Sequence, residues 1–141
     1  MNEYQIYIKG RGHEHLASCA IIVIENDIEI FSGGKLFDGF IPTKEGIIGV
    51  LPNKMQYQME LYALAWALTF CIKPATATVF TNNLAVKGWL EKGRVSEDYN
   101  DIYEYCKKFS QNISIKYKHV KKGTDEISER CDNIAYKYEF Y

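Results

Sequence analysis

"VFTNNLAVKGWL", residues 79–90, changes character half-way along. Val79 and Phe80 end an apolar run, Asn82 and Asn83 form a polar break, and the rest carries helix-forming residues up to Gly93, which is placed to cap a helix C-terminus. The stretch therefore reads as a strand running through a turn into a helix. Upstream, residues 55–72 repeat Met59, Tyr62, Ala63, Trp66, Ala67 and Phe70 at spacings of three and four, which predicts a helix with Pro74 just past its end. Strand and helix thus alternate in the middle of the chain.

The N-terminal third has a different period. "EYQIYIK" alternates Tyr4, Ile6 and Ile8 against Gln5, Tyr7 and Lys9, and is expected to end in a turn at "GRG". "LASCAIIVIEND" and "IEIFSGGK" read as two further strands around a turn near residues 25–27, so the chain opens as an antiparallel meander. Residues 36–54 carry Pro42, Pro52, Gly39, Gly46, Gly49 and Asn53, the punctuation of a long loop, with room for a short extended piece, inserted into one domain. Past Gly93, "SEDYNDIYEYCKKFSQ" is expected to be one helix with Ser96 as its N-cap. Acids in its first turn and lysines in its last suit the helix dipole. "ISIKYKHV" is a strand with Lys116 and Lys118 on one face and Ile115, Tyr117 and His119 on the other. "DEISERCDNIAYKYEF" is a last helix with Ile127, Ile134 and Tyr138 as inward candidates. The order β-β-β-α-β-α-α-β-α implies an α/β domain with a mixed five-stranded sheet, three antiparallel strands then parallel additions, and helices on both faces.

At 141 residues, 47% apolar and 25% charged, the chain fits one globular domain, 1–141, and excludes disorder. Its apolar stretches fall well short of the roughly 20 residues that span a bilayer, so no membrane association is expected. The first ten residues lack the basic start and apolar run of a secretory leader, and a cytoplasmic setting is expected. Cys19, Cys71, Cys106 and Cys131 are widely spaced without a C-x-x-C pair, as buried thiols would be. "HEH", residues 13–15, offers two imidazoles with no third ligand in view, and reads as a polar hairpin. A net charge of −1 excludes a globally basic nucleic-acid binder, yet Lys107, Lys108, Lys116, Lys118, Lys121 and Lys122 follow one another with no acid between. Such a stripe can track a phosphate backbone or be a solvated helix end and sheet edge.

Four motifs, "IYIKGRG", "YQMELYALAWAL", "VFTNNLAVKGWL" and "SERCDNIAYK", stand in the order and spacing of the ribonuclease H family, which the chain resembles over nearly its whole length. Enzymes of that family place an Asp at the end of the first strand, a Glu on the first helix, an Asp after the fourth strand and an Asp in the last helix. Together these hold two divalent cations that cut the RNA strand of an RNA–DNA hybrid. Here the matching positions are Lys9, Glu60, Asn82 and Asp132. Two carboxylates, an amide and an ammonium give a formal site charge of about −1 where four carboxylates would give about −4, removing most of the attraction for two dications.

The resemblance then implies a catalytically silent relative that binds an RNA–DNA hybrid or structured RNA, with no metal or other cofactor expected. Lys9 would stand in for a metal, ion-paired to Glu60 or Asp132. Asn53, Asn83, Lys116, Lys118, Lys121 and Lys122 are the candidate nucleic-acid contacts. Two alternatives remain. The fold could be reused as a protein-interaction module, engaging a partner through 36–54 or through the aromatic tail Tyr136, Tyr138, Phe140 and Tyr141. Or a magnesium- or manganese-dependent nuclease could survive on a rebuilt site drawing on Asp125, Glu126 or Glu129. The family's histidine before the last helix has no counterpart near Lys122 and Gly123, and His119 comes too early, on the strand.

Overall fold

The computed structural model describes residues 2–14, 16–43, 46–51 and 53–140, with the side chains of 139 and 140 outside the description. His15, the Phe140 side chain and Tyr141, named above as candidates, therefore lie outside the described residues. Three strands, β1 (Asn2–His13), β2 (Leu16–Glu25) and β3 (Ile28–Asp38), form the antiparallel meander. The two-residue turn between β2 and β3 places Asn26 and Asp27 at φ 48° and 70°, the left-handed pair that a tight hairpin requires. After α1 (Met55–Leu68), β6 (Ala75–Thr81) pairs in parallel with β1. After α2 (Leu84–Lys92) and α3 (Asn100–Phe109), β7 (Ile113–His119) pairs in parallel with β6. The sheet order is β3-β2-β1-β6-β7, and α4 (Glu126–Phe140) ends the described chain. The predicted mixed five-stranded sheet and element order hold.

One layer is much thicker than the other. Against one face pack α1 and, outside it, α3, with α2 beside β7. Here Ile6, Ile8, Ile21, Val23, Met59, Leu61, Leu64 and Val79 form the larger core. On the other face α4 packs mainly on β1, β2 and β3, and a smaller core holds Tyr7, Ala20, Ile22, Ile24, Cys131 and Ala135. This explains the sequence of β2. A strand covered on both faces is apolar nearly throughout instead of at every second position, and the buried Ser18 of β2 satisfies its hydroxyl on the Ala135 carbonyl of α4. It also explains α1, which is enclosed between the sheet and α3 and buries residues all round its axis.

Four expectations need correcting. "GRG" is not a turn: β1 continues through it to His13. These glycines permit close approach, since a Cβ at Gly10 would stand 2.4 Å from the Glu60 backbone nitrogen and one at Gly12 would stand 2.4 Å from Met55 Cβ. Residues 36–54 hold more strand than the one short extended piece expected, because β3 runs to Asp38 and β4 (Phe40–Thr43) pairs antiparallel with β5 (Gly46–Gly49). The helix expected from Ser96 begins instead as a single 3-10 turn, Glu97–Tyr99, and the Ser96 side chain caps nothing. On α4 the inward positions are Cys131 and Ala135, with Ile127 and Ile134 at the flanks, while Tyr138 is exposed. All four cysteines are free and buried. No helix among the described residues is long and apolar enough to cross a membrane.

Candidate functional site

The parallel strands β1 and β6 run side by side, and Lys9, Asn82, Glu60 and Asp132 gather where β6 ends beside β1. Glu60 comes from the middle of α1 and is fully buried. Its two oxygens are both engaged: the Gly10 N–H donates to Oε1 at 2.8 Å and the Thr81 hydroxyl donates to Oε2 at 2.9 Å. Burial pushes its pKa from 4.5 up to about 7. The Gly10 N–H, the Lys9 charge and the Thr81 hydroxyl work against that rise, and the Asp132 charge adds to it. Glycine at position 10 is what lets the helix carboxylate reach a strand amide at all.

Lys9 is the unusual residue. It is only 8% exposed, and its Nζ lies 3.4 Å from Asn82 Oδ1, a long hydrogen bond. The direct ion pair expected with Glu60 or Asp132 is not formed. Glu60 spends both oxygens on Gly10 and Thr81, and the ammonium meets the amide instead. Lys9 still acts on both acids through space, lowering the pKa of each against the opposing effect of burial. Asp132, half-buried on α4, is raised by burial, lowered by Lys9, raised by Glu129 and lowered by Lys122 and Arg11. Three cations thus bear on a site of two carboxylates.

The residues present fit a pair of divalent cations poorly. A neutral amide and a buried ammonium stand among the acids, and among the described residues no three His, Cys, Asp or Glu side chains converge as a metal site. Asp125, considered above for a rebuilt centre, caps α4 by accepting the Ser128 N–H at 2.9 Å. Glu126 is exposed, and Glu129 is half-buried within electrostatic reach of Asp132.

The candidate nucleic-acid contacts separate into groups. Asn83 does not face solvent: its Oδ1 accepts the Val86 N–H at 3.0 Å as the N-cap of α2, and it is buried. Asn53 is exposed, at φ 66°, and lines a hollow with Gly12, His13 and Gln56 before α1. Lys121 and Lys122 are exposed just after β7, with Lys122 close enough to influence Asp132. Lys118 and Lys116 are exposed on the outer face of β7, in register with Phe80 and Thr78. Through β6, Lys116 is level with Gln5, four residues before Lys9, or about 13 Å along the strand. It lines a different hollow, with Glu3, Gln5 and Thr76. The lysine stripe is therefore not one patch.

The sequence reading missed Arg11. Once β1 is seen to continue, Lys9 and Arg11 share a strand face, and the Arg11 guanidinium lies 5.2 Å from the Tyr136 ring centre. With Lys9, Gly10, Gly12 and Gln56 it lines a cleft of about 140 Å³ at the site's edge. The period-2 signal was present, and only the two glycines disguised it.

No protein-family model matches the chain, and no curated protein sequence matches it significantly. Solved structures do. The RNase H1 of the halophilic archaeon Halobacterium salinarum superposes with a TM-score of 0.71 at 16% identity, covering 96% of each chain. The N-terminal RNase H domain of a Mycobacterium tuberculosis protein, solved fused to maltose binding protein, gives 0.71 at 16% identity over 97% of this chain and 93% of that one. LC11-RNase H1 in complex with an RNA/DNA hybrid gives 0.64 at 10% identity over 96% of each. Likeness over nearly the full length of both partners, with the same mixed sheet, establishes that this chain has the ribonuclease H-like fold.

Proposed function

We propose that the chain is a nucleic-acid-binding protein built on the ribonuclease H-like fold, one that has lost two-metal cleavage and takes an RNA–DNA hybrid or structured RNA across the ends of β1 and β6. The observation that carries this reading is the buried Lys9 ammonium, hydrogen-bonded to Asn82 and set among the remaining acids. An ammonium meets a backbone phosphate without help from a dication, and Arg11, Lys121 and Lys122 extend the positive charge outward from it. One of the structures the chain resembles holds such a hybrid.

The test is a labelled hybrid titrated with protein in EDTA at low salt, followed by incubation with magnesium or manganese. Binding that survives EDTA, with the strand left intact in either metal, is the expected result. Absence of binding at low salt removes the proposal. Metal-dependent cleavage that disappears in Glu60→Gln replaces it with a working nuclease on a rebuilt site.

A further inference from the structure

The sheet has an open face that the site at the ends of β1 and β6 does not use. Parallel strands are ordinarily buried on both sides. Here β1, β6 and β7 pair in parallel, yet α4 packs mainly on β1, β2 and β3 and leaves the outer half of the sheet bare. On the face turned away from α1, Ser114, Lys116 and Lys118 of β7 are exposed, and Thr76, Thr78 and Phe80 of β6 are half-buried. Neither strand contains an acid. Among the described residues Lys116 and Lys118 make no hydrogen bond, ion pair or ring contact.

Register sets these side chains in rows across three strands. Lys118, Phe80 and Tyr7 form one row, and Lys116, Thr78 and Gln5 form the next, about 6.6 Å along the strands. Tyr7 stacks on Phe80 with ring centres 4.5 Å apart and planes 11° from parallel. That separation is close to the spacing of neighbouring strands, about 4.8 Å, so the rings stack across the sheet and the far face of Phe80 looks toward β7. The second row floors a polar hollow of about 320 Å³, lined also by Glu3, Thr76 and Ser114.

We infer that this face binds single-stranded nucleic acid, with the phosphate backbone along β7 and the bases turned inward over β6. The two uncompensated ammoniums take successive phosphates. Phe80 offers one base a ring face, and the Thr76, Thr78 and Ser114 hydroxyls with the Gln5 amide meet the polar edge of the next. Glu3 and Asp27, on the β1 side of the hollow, repel phosphate and hold the backbone over β7. A duplex keeps its base faces stacked and cannot use this platform. Because Lys116 is level with Gln5, about 13 Å along the strand from Lys9, the surface is separate from the proposed hybrid site and does not depend on it.

Anisotropy titrations of a short labelled oligouridylate and oligothymidylate test this. Wild type should bind at low salt. Lys116→Ala with Lys118→Ala should weaken binding and flatten the dependence of log affinity on log salt by about 1.4 units, the share of two phosphates on a single strand. Phe80→Leu, which keeps an apolar side chain beside Tyr7, should weaken binding roughly tenfold and leave the slope as it is. Should that variant fail to fold, photocrosslinking of a bromouridine strand to wild type should mark the β6 peptide that holds Phe80. A blunt hybrid should be bound equally by wild type and by the lysine double variant. No affinity for either single strand at low salt overturns the inference, as does single-strand binding indifferent to the lysine pair, or a lysine pair that weakens the blunt hybrid to the same extent. Single-strand binding by a protein that ignores the blunt hybrid upholds this surface while removing the hybrid reading.

Discussion

At the scale of single residues, the site is governed by what burial does to Glu60. A carboxylic acid raised from 4.5 to about 7 in the folded protein favours its neutral form. Its stabilising contribution is complete below the unfolded value and is lost as pH rises through the folded one. Ionising Glu60 in place should cost roughly 3 kcal/mol at full effect, because each tenfold change in a protonation equilibrium is worth about 1.4 kcal/mol. Glu60→Gln should therefore unfold at higher denaturant than wild type above about pH 8, and the difference should vanish near pH 4. Chemical denaturation at the two pH values measures it. The companion prediction concerns Lys9 and Asn82. Replacing both, Lys9→Asp with Asn82→Asp, restores four carboxylates around one point, which repel one another until a cation arrives. The double variant should lose thermal stability in EDTA and recover several degrees on adding manganese, while wild type shifts little. Of this chemistry the sequence shows the residue types and their order plainly. It does not show that Glu60 satisfies both oxygens locally, because that depends on α1 touching β1 at Gly10, a contact between residues fifty positions apart.

Among the elements, glycine and asparagine were the residues whose meaning only packing could decide. "GRG" reads as a turn because glycine commonly makes one, yet here it lets a helix lie against a strand. The two readings are indistinguishable without knowing what passes overhead. Asn83 looked like a solvent-facing contact and is a helix cap. Removing it as Asn83→Ala should cost about 1 kcal/mol of stability, read as a lower melting temperature, with hybrid affinity unchanged where the fold is retained. By contrast, β7, Gly93 and the tight turn at residues 26–27 were legible in advance, because each is fixed by chemistry within a few residues. The hairpin at 40–49 and the extension of β3 were not, since short strands rich in glycine and proline carry weak alternation.

For the whole molecule, charge placement decides how a nucleic acid would be met. Lys121 and Lys122 lie at the site's end of the sheet, whereas Lys116 is level with Gln5 and faces another hollow. If the hybrid crosses the ends of β1 and β6, Lys121→Ala with Lys122→Ala should flatten the dependence of log affinity on log salt by about two units. Lys116→Ala should leave that slope as it is. Anisotropy titrations at several potassium chloride concentrations separate the two outcomes. The net charge of −1 conceals this arrangement, because 17 basic and 18 acidic residues nearly cancel over the whole chain whatever surface each occupies.

The unequal thickness of the two layers has a dynamic consequence. α1 buries residues all round its axis, but α4 sets its own Cys131 and Ala135 on just four buried strand residues and brings Asp132 with it. The last helix is thus poised to lift away as a unit while the meander and α1 remain folded. Native-state hydrogen exchange in mild urea should find its amides opening together at a lower free energy than those of α1. A ligand bridging Asp132 and β1 should slow that opening in proportion to its occupancy.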